Sequence, residues 1–245
     1  MRRLCHGAPA RCRSVSTEAW ERVPTLRSVP LGVAAFGVWG ANTGVGKTLV
    51  CCALAAVEAA GGEEHLYLKP LQTGWPGDSD GERVAQAAAR VTSASYAVHT
   101  AGRHAAEEGW RGAAVSGTAR VLARTLFAWP DAVGPHAAAA RSGRGVSDEK
   151  VVAEVADELH SFASLARRAG PPPLALVEAA GGVSSPGASG TLQCDLMRAL
   201  RLPAVLVADG QLGCDPPSSP PPSPSSHHVR AAAGASQPRC ALSTR

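Results

Sequence analysis

The triplet Gly46-Lys47-Thr48 closes the stretch GVWGANTGVGKTLVCCAL, residues 37–54, and offers a phosphate-binding chemistry. Successive backbone N–H groups from Thr43 to Thr48 can converge on phosphate oxygens. A helix starting there turns the positive end of its dipole toward an anion. Lys47 supplies a charge for β- and γ-phosphates, and the Thr48 hydroxyl is placed to ligate Mg2+. The common spacing is G-x-x-x-x-G-K-[ST]. Here Ala41 holds the first glycine's place and Gly40 comes one residue early.

Two further segments add groups of the right type. In KPLQTG, Lys69 ends an apolar run and Thr73 follows it. Strand C-termini in open α/β sheets line the ligand crevice. A lysine there neutralises a forming anion or a transferring phosphoryl group, or is an ordinary strand-end lysine in water. In LVEAAGG, Glu178 ends another apolar run, ahead of Gly181 and Gly182. A carboxylate so placed holds Mg2+ opposite the P-loop threonine, and the glycines let a substrate approach the backbone. Asp78 and Asp80 in GDSDGE are candidates for the same metal shell; taken alone they are turn residues.

These groups need a scaffold, and the sequence alternates strand and helix from Leu31 onward. LGVAAFGVW reads as a buried strand, and KTLVCCALAAVEAAGG as a helix ended by glycines. HLYLKPLQTG is a second strand and ERVAQAAAR a helix. Residues 100–120 have no clear period. From Ser147 to Ala169, Val152, Val155, Leu159 and Phe162 recur on one face of a helix that Ser147 caps, with Asp148 and Glu149 in its first turn. Gly170 and three prolines stop it. LALVEAAGG and PAVLVADG are apolar on both faces, as strands of a parallel sheet must be. The fold expected is α/β: a doubly wound, mostly parallel sheet of P-loop NTPase type.

The ends differ in character. Residues 1–30 hold Arg2, Arg3, Arg11 and Arg13 before the first acid, Glu18, with serines among them. That composition reads as an organelle transit peptide or a disordered basic tail. Residues 31–215 form the expected domain. PPSSPPPSPSS, 216–226, contains only proline and serine, so residues 216–245 read as a disordered tail. A net charge of +4 gives no argument for nucleic acid, and no apolar run approaches the about 20 residues of a membrane span. The seven cysteines are odd in number and form no C-x-x-C pair, which argues against a disulfide framework or a zinc site. Cys51 and Cys52 read as small core residues.

Taken together, GANTGVGKT, KPLQTG, DSD, FAWPDAVGPHAAA, LVEAAGG and VLVADGQLG resemble, in order, dethiobiotin synthetase. The wording is closest to the synthetase part of the plant and algal bifunctional enzyme, which is mitochondrial. The resemblance covers residues 33–213, and that family's longer G-x5-G-K-T loop accounts for the early glycine. It implies ATP and Mg2+ as cofactors, 7,8-diaminopelargonate and CO2 as substrates, and a homodimer, with no nucleic-acid or membrane partner. In the implied reaction a carbamate attacks the γ-phosphate, and the second amine then closes the ring and expels phosphate. Asn42, Thr43, Gly44, Val45, Gly46, Lys47 and Thr48 would hold the nucleotide. Lys47, Lys69 and Thr43 would act on the reacting groups. Thr48, Asp80 and Glu178 would ligate Mg2+, and Lys69, Thr73, Gly181 and Gly213 would meet the substrate. His136 matches a Pro-His pair of the family and reads as helix-start packing.

Some features depart from that pattern. Many bacterial members carry glutamate where Gly44 stands. The family's later strands and adenine-binding loop are not visible after Asp215, so a C-terminally truncated and inactive chain, with an uncovered sheet edge, is one expectation. Two rivals remain: a partitioning-type ATPase switch, which often carries a second lysine that is absent before Lys47, and a non-catalytic remnant.

Overall fold

A computed structural model describes residues 32–91, 96–100, 121–165 and 172–208. The expectations for the transit peptide, the Pro/Ser tail and Gly213 lie outside those residues. Among the described residues six strands form one sheet: β1 (Ala34–Gly40), β2 (His65–Thr73), β3 (Tyr96–Thr100), β4 (Val121–Trp129), β5 (Leu174–Glu178) and β6 (Ala204–Val207). Their spatial order is β3-β4-β2-β5-β1-β6, and every pairing is parallel. The helices are α1 (Lys47–Gly61), α2 (Asp80–Val91), α3 (Pro135–Ser142), α4 (Asp148–Leu165) and the short α5 (Gln193–Leu196), which runs into a 3-10 turn at Met197–Leu200. No helix of the described residues is long and apolar enough to cross a membrane.

Period-two alternation explains the layers. Val38, Tyr67, Ala123 and Leu176 face a cluster with Cys51, Ala55 and Ala59 of α1 and Val84, Ala85 and Ala88 of α2. Ala35, Leu66, Leu68, Leu122 and Val177 face the other way, toward Ala138 of α3, Val152, Val155, Leu159 and Phe162 of α4, and Leu196. Helices therefore cover both faces and the sheet is doubly wound, as expected. Cys51 is wholly buried and Cys52 half-buried, in keeping with small core residues. Gly62, at φ 78°, closes α1 with its N–H on the Ala59 carbonyl at 3.0 Å. Ser147 caps α4, its Oγ accepting the Lys150 N–H at 3.3 Å.

Sequence reading missed β3 and β4. In VLARTLFAW, Arg124 and Thr125 interrupt the apolar run, but both are accommodated. Arg124 pairs with Glu158 of α4 at 2.8 Å, and burial raises the Glu158 carboxyl pKa, with Arg124 opposing that shift. Thr125 is buried in register with Lys69.

His65 opens β2 fully buried, and neither ring nitrogen has a hydrogen-bond partner among the described residues. Burial lowers its pKa from 6.5 to about 4. The folded state thus holds a neutral imidazole, while the unfolded chain binds a proton below pH 6.5. Its contribution to stability is present in full above about pH 6.5 and is lost as pH falls toward 4, by about 3 kcal/mol. His65→Leu should flatten that acid limb in urea titrations run at pH 7 and pH 5. An unchanged pH dependence would show the loss to come from other groups.

Candidate active site

Parallel strands bring their C-terminal ends to one edge, and β5 sits between β1 and β2. The β1 end leads into the phosphate loop. Gly44 and Gly46 take φ of 80° and 94°, conformations that suit glycine. Gly46 is the N-cap of α1, whose first turn carries no acid to offset its positive end. The Thr43 N–H donates to Asn42 Oδ1 at 2.8 Å, and Lys47 Nζ donates to the Asn42 carbonyl at 3.2 Å. Lys47 therefore folds back over the end of β1.

That return path explains the early glycine. A Cβ on Gly40 would stand 2.7 Å from the Asn42 carbonyl oxygen and 2.9 Å from Lys47 Cδ and Nζ. Ala41, at the usual glycine position, is exposed and carries its methyl freely. Gly40→Ala is expected to impose about 1–3 kcal/mol of overpacking on the loop, and so to weaken nucleotide phosphate binding there about tenfold or more. Calorimetric ATP titration would check this; wild-type affinity would mean that the loop relaxes at no cost.

Next to this loop lies a compact cluster of charge. Glu178, wholly buried at the end of β5, accepts from Thr48 Oγ1 at 2.9 Å and Lys69 Nζ at 2.7 Å on Oε1, and from the Tyr67 hydroxyl at 2.9 Å on Oε2. Lys69 Nζ also lies 2.8 Å from Asp80 Oδ2. The other Asp80 oxygen is 3.4 Å from Arg83, which also pairs with Asp78. Alternation puts Tyr67 and Lys69 on one face of β2, and Leu176 and Glu178 on the same face of β5. Burial works against the Lys69 charge, but Glu178 and Asp80 outweigh it and raise its pKa. Lys47 is pushed the other way, by burial first and by the Lys69 charge second. Burial and the Glu178 charge raise the Tyr67 phenol well above its usual range, so it stays a donor.

Gln72 builds the loop that presents Asp80. Its amide donates to the Thr73 carbonyl at 2.9 Å and the Asp78 carbonyl at 2.8 Å, and its Oε1 accepts the Asp80 N–H at 3.4 Å. On the far side, Gly181 takes φ 73°, and a Cβ there would meet Ser185 Oγ at 2.7 Å and Thr43 Oγ1 at 3.5 Å. Thr43 is thus an exposed neighbour of Gly181. The Gly182 N–H donates to Ser185 Oγ at 2.7 Å and packs against the Ala41 and Asn42 backbone.

Of the residues expected from sequence, Lys47, Thr48, Lys69, Asp80 and Glu178 come together, and Thr43 meets Gly181. Thr73 ends β2 half-buried, beside Trp129 in register. Asn42, Gly44, Val45 and Gly46 form the loop, and His136 is exposed at the start of α3. Tyr67 and Gln72 were missed; the only signal for Gln72 was an amide inside an apolar strand. Among the described residues no group of three His, Cys, Asp or Glu could cage a metal. The donor set nevertheless suits Mg2+, which takes few carboxylates and fills its shell with water and phosphate oxygen. Thr48, Glu178 and Asp80 offer hard oxygens, and the Lys69 ammonium already stands as a cation between the two carboxylates.

Comparison with known proteins adds lineage. A family model described as an AAA domain matches residues 35–111. The chain is 39% identical over 218 residues to the mitochondrial bifunctional dethiobiotin synthetase/7,8-diamino-pelargonic acid aminotransferase of Oryza sativa subsp. japonica, covering 76% of this chain and 25% of that one. The Arabidopsis thaliana protein of the same name is 35% identical over 214 residues, covering 76% and 26%. The chain thus spans about a quarter of the length of these plant relatives. The ATP-dependent dethiobiotin synthetase of Methylobacterium nodulans is 32% identical over 176 residues, covering 72% of this chain and 68% of that one. With its phosphate loop and acidic cluster in place and that extent of shared sequence, the chain belongs to the dethiobiotin synthetase family.

Proposed function

We propose that the chain catalyses the ATP- and Mg2+-dependent carboxylation and ring closure of 7,8-diaminopelargonate to dethiobiotin. The observation that carries this reading is the buried Lys69 ammonium fixed between Glu178 and Asp80 beside the phosphate loop. Its raised pKa keeps it cationic, so it acts as a fixed positive charge and not as a base. That is the group a carbamate anion needs next to a γ-phosphate. The backbone from Thr43 to Thr48 holds the triphosphate, and Lys47 neutralises the oxygen charge that builds as the phosphoryl group transfers. Thr48, Asp80 and Glu178 hold Mg2+, which when bound supplies charge neutralisation and orientation of the phosphates. Thr43 faces the reacting phosphoryl, and Gly181 and Thr73 lie where the diamine would approach. Substrate positioning provides the remaining acceleration.

In this reading residues 31–215 are the synthetase domain, residues 1–30 direct the chain to mitochondria, and the working form is a homodimer. The plant relatives' names, which include "mitochondrial", support the second point. The test is incorporation of labelled bicarbonate into a ring product by the full chain, dependent on both 7,8-diaminopelargonate and ATP. Product that forms only with both substrates supports the reading; no incorporation at saturating substrates overturns it.

A further inference from the structure

We propose that Tyr67 is a positioning residue that makes Glu178 a one-oxygen ligand and so biases the cation site toward Mg2+ over Ca2+; this rests on the metal- and nucleotide-dependent reading above. Three observations carry it. The two oxygens of Glu178 are divided: Oε1 accepts from Thr48 and Lys69, on the phosphate-loop side, while Oε2 accepts from the Tyr67 hydroxyl at 2.9 Å; the buried Cys51 thiol also bears on this carboxylate. The phenol has little freedom to release that oxygen, since Tyr67 is wholly buried in the cluster with Val38, Ala55, Val84 and Leu176. Its register fixes the reach as well. Tyr67 pairs with Leu176, two residues before Glu178, so its hydroxyl reaches along the strands to the Oε2 of that carboxylate.

A carboxylate with one oxygen held in this way offers a single ligand atom to a cation on the other side. Mg2+ is small, prefers near-ideal octahedral geometry and is content with single-oxygen carboxylates. Ca2+ is larger, takes more ligands and often grips both oxygens of one carboxylate. Hydrogen-bond partners of ligands tune metal sites in this manner. Thr48 and Lys69 bear on Oε1 alone, so neither can perform this division.

The experiment uses the full chain with ADP. Mg2+ and Ca2+ are titrated in competition with Mn2+, read by the electron paramagnetic resonance of free Mn2+. Tyr67→Phe keeps the ring and removes the hydroxyl. It should raise the Ca2+-to-Mg2+ affinity ratio about tenfold and leave ADP affinity in EDTA unchanged. A variant that melts earlier with an unchanged ratio would make Tyr67 a purely structural residue and overturn the proposal. Should Tyr67→Phe fail to fold, the native chain answers instead. It has two tyrosines, so fluorotyrosine labelling gives two 19F resonances, assigned with Tyr96→Phe. The Tyr67 signal should differ between the Mg2+ and Ca2+ complexes, and identical shifts overturn the proposal. A native chain that binds no divalent cation with ADP overturns it together with the metal-dependent reading, whereas cation binding without bicarbonate incorporation overturns the reaction alone.

Discussion

Lys47→Ala should lower kcat by about 100- to 1,000-fold while leaving the melting temperature unchanged or slightly raised. The two halves of that expectation have separate causes. Lys47 is the cation nearest the transferring phosphoryl group in the proposed reaction, and alanine offers nothing in its place. Its contribution to the fold is small. It is buried, its pKa is lowered by burial and by the neighbouring Lys69 charge, and its hydrogen bond is a 3.2 Å contact with the Asn42 carbonyl of its own loop. Removing a desolvated cation from beside another cation relieves repulsion. Bicarbonate incorporation and a thermal melt on the same preparation check both halves. A fall of many degrees would mean that Lys47 holds the loop together.

Glu178→Ala should also be inactive, but it should fail by a different route. It strands Lys69 with Asp80 alone and leaves the Tyr67 hydroxyl and the Thr48 hydroxyl without their shared acceptor. Breaking a buried ion pair by removing one partner costs about 3–5 kcal/mol. The urea midpoint should therefore fall sharply, and cation binding in the presence of ADP should vanish. Glu178→Gln keeps an acceptor for Tyr67 and removes the negative charge, so it should lie between wild type and alanine in stability and match alanine in activity. A Glu178→Ala chain with the wild-type midpoint would show that Lys69 finds its neutralisation elsewhere.

The residues that carry these effects were legible because each breaks its local pattern. Glu178 is a charge at the end of an apolar run and Lys69 a charge within one, which the structure places inside β2 and not at its end; Asp80 read alone as a turn residue, although it begins α2. Gly46, Lys47 and Thr48 sit between a strand and a helix. Tyr67 gave no such mark, since tyrosine is an ordinary strand residue. Its role arises only when β2 and β5 are adjacent, a long-range pairing that local composition does not encode. Gln72 was hidden for the same reason, because its partners, the backbone groups of the Thr73–Asp80 loop, exist only once that loop is folded. β4 was unread because Arg124 and Thr125 interrupt its apolar run. Its countercharge, Glu158, lies on a helix 34 residues further along.

Gly40 bears on how such loops are found in other genomes. A search pattern that demands glycine five positions before Gly46 meets Ala41 here and passes over the chain. The physical requirement is met one residue earlier, where the lysine stem crosses the strand end and no side chain fits. What this loop requires is a residue without a side chain under Lys47, and a pattern anchored on that contact would tolerate the extra residue.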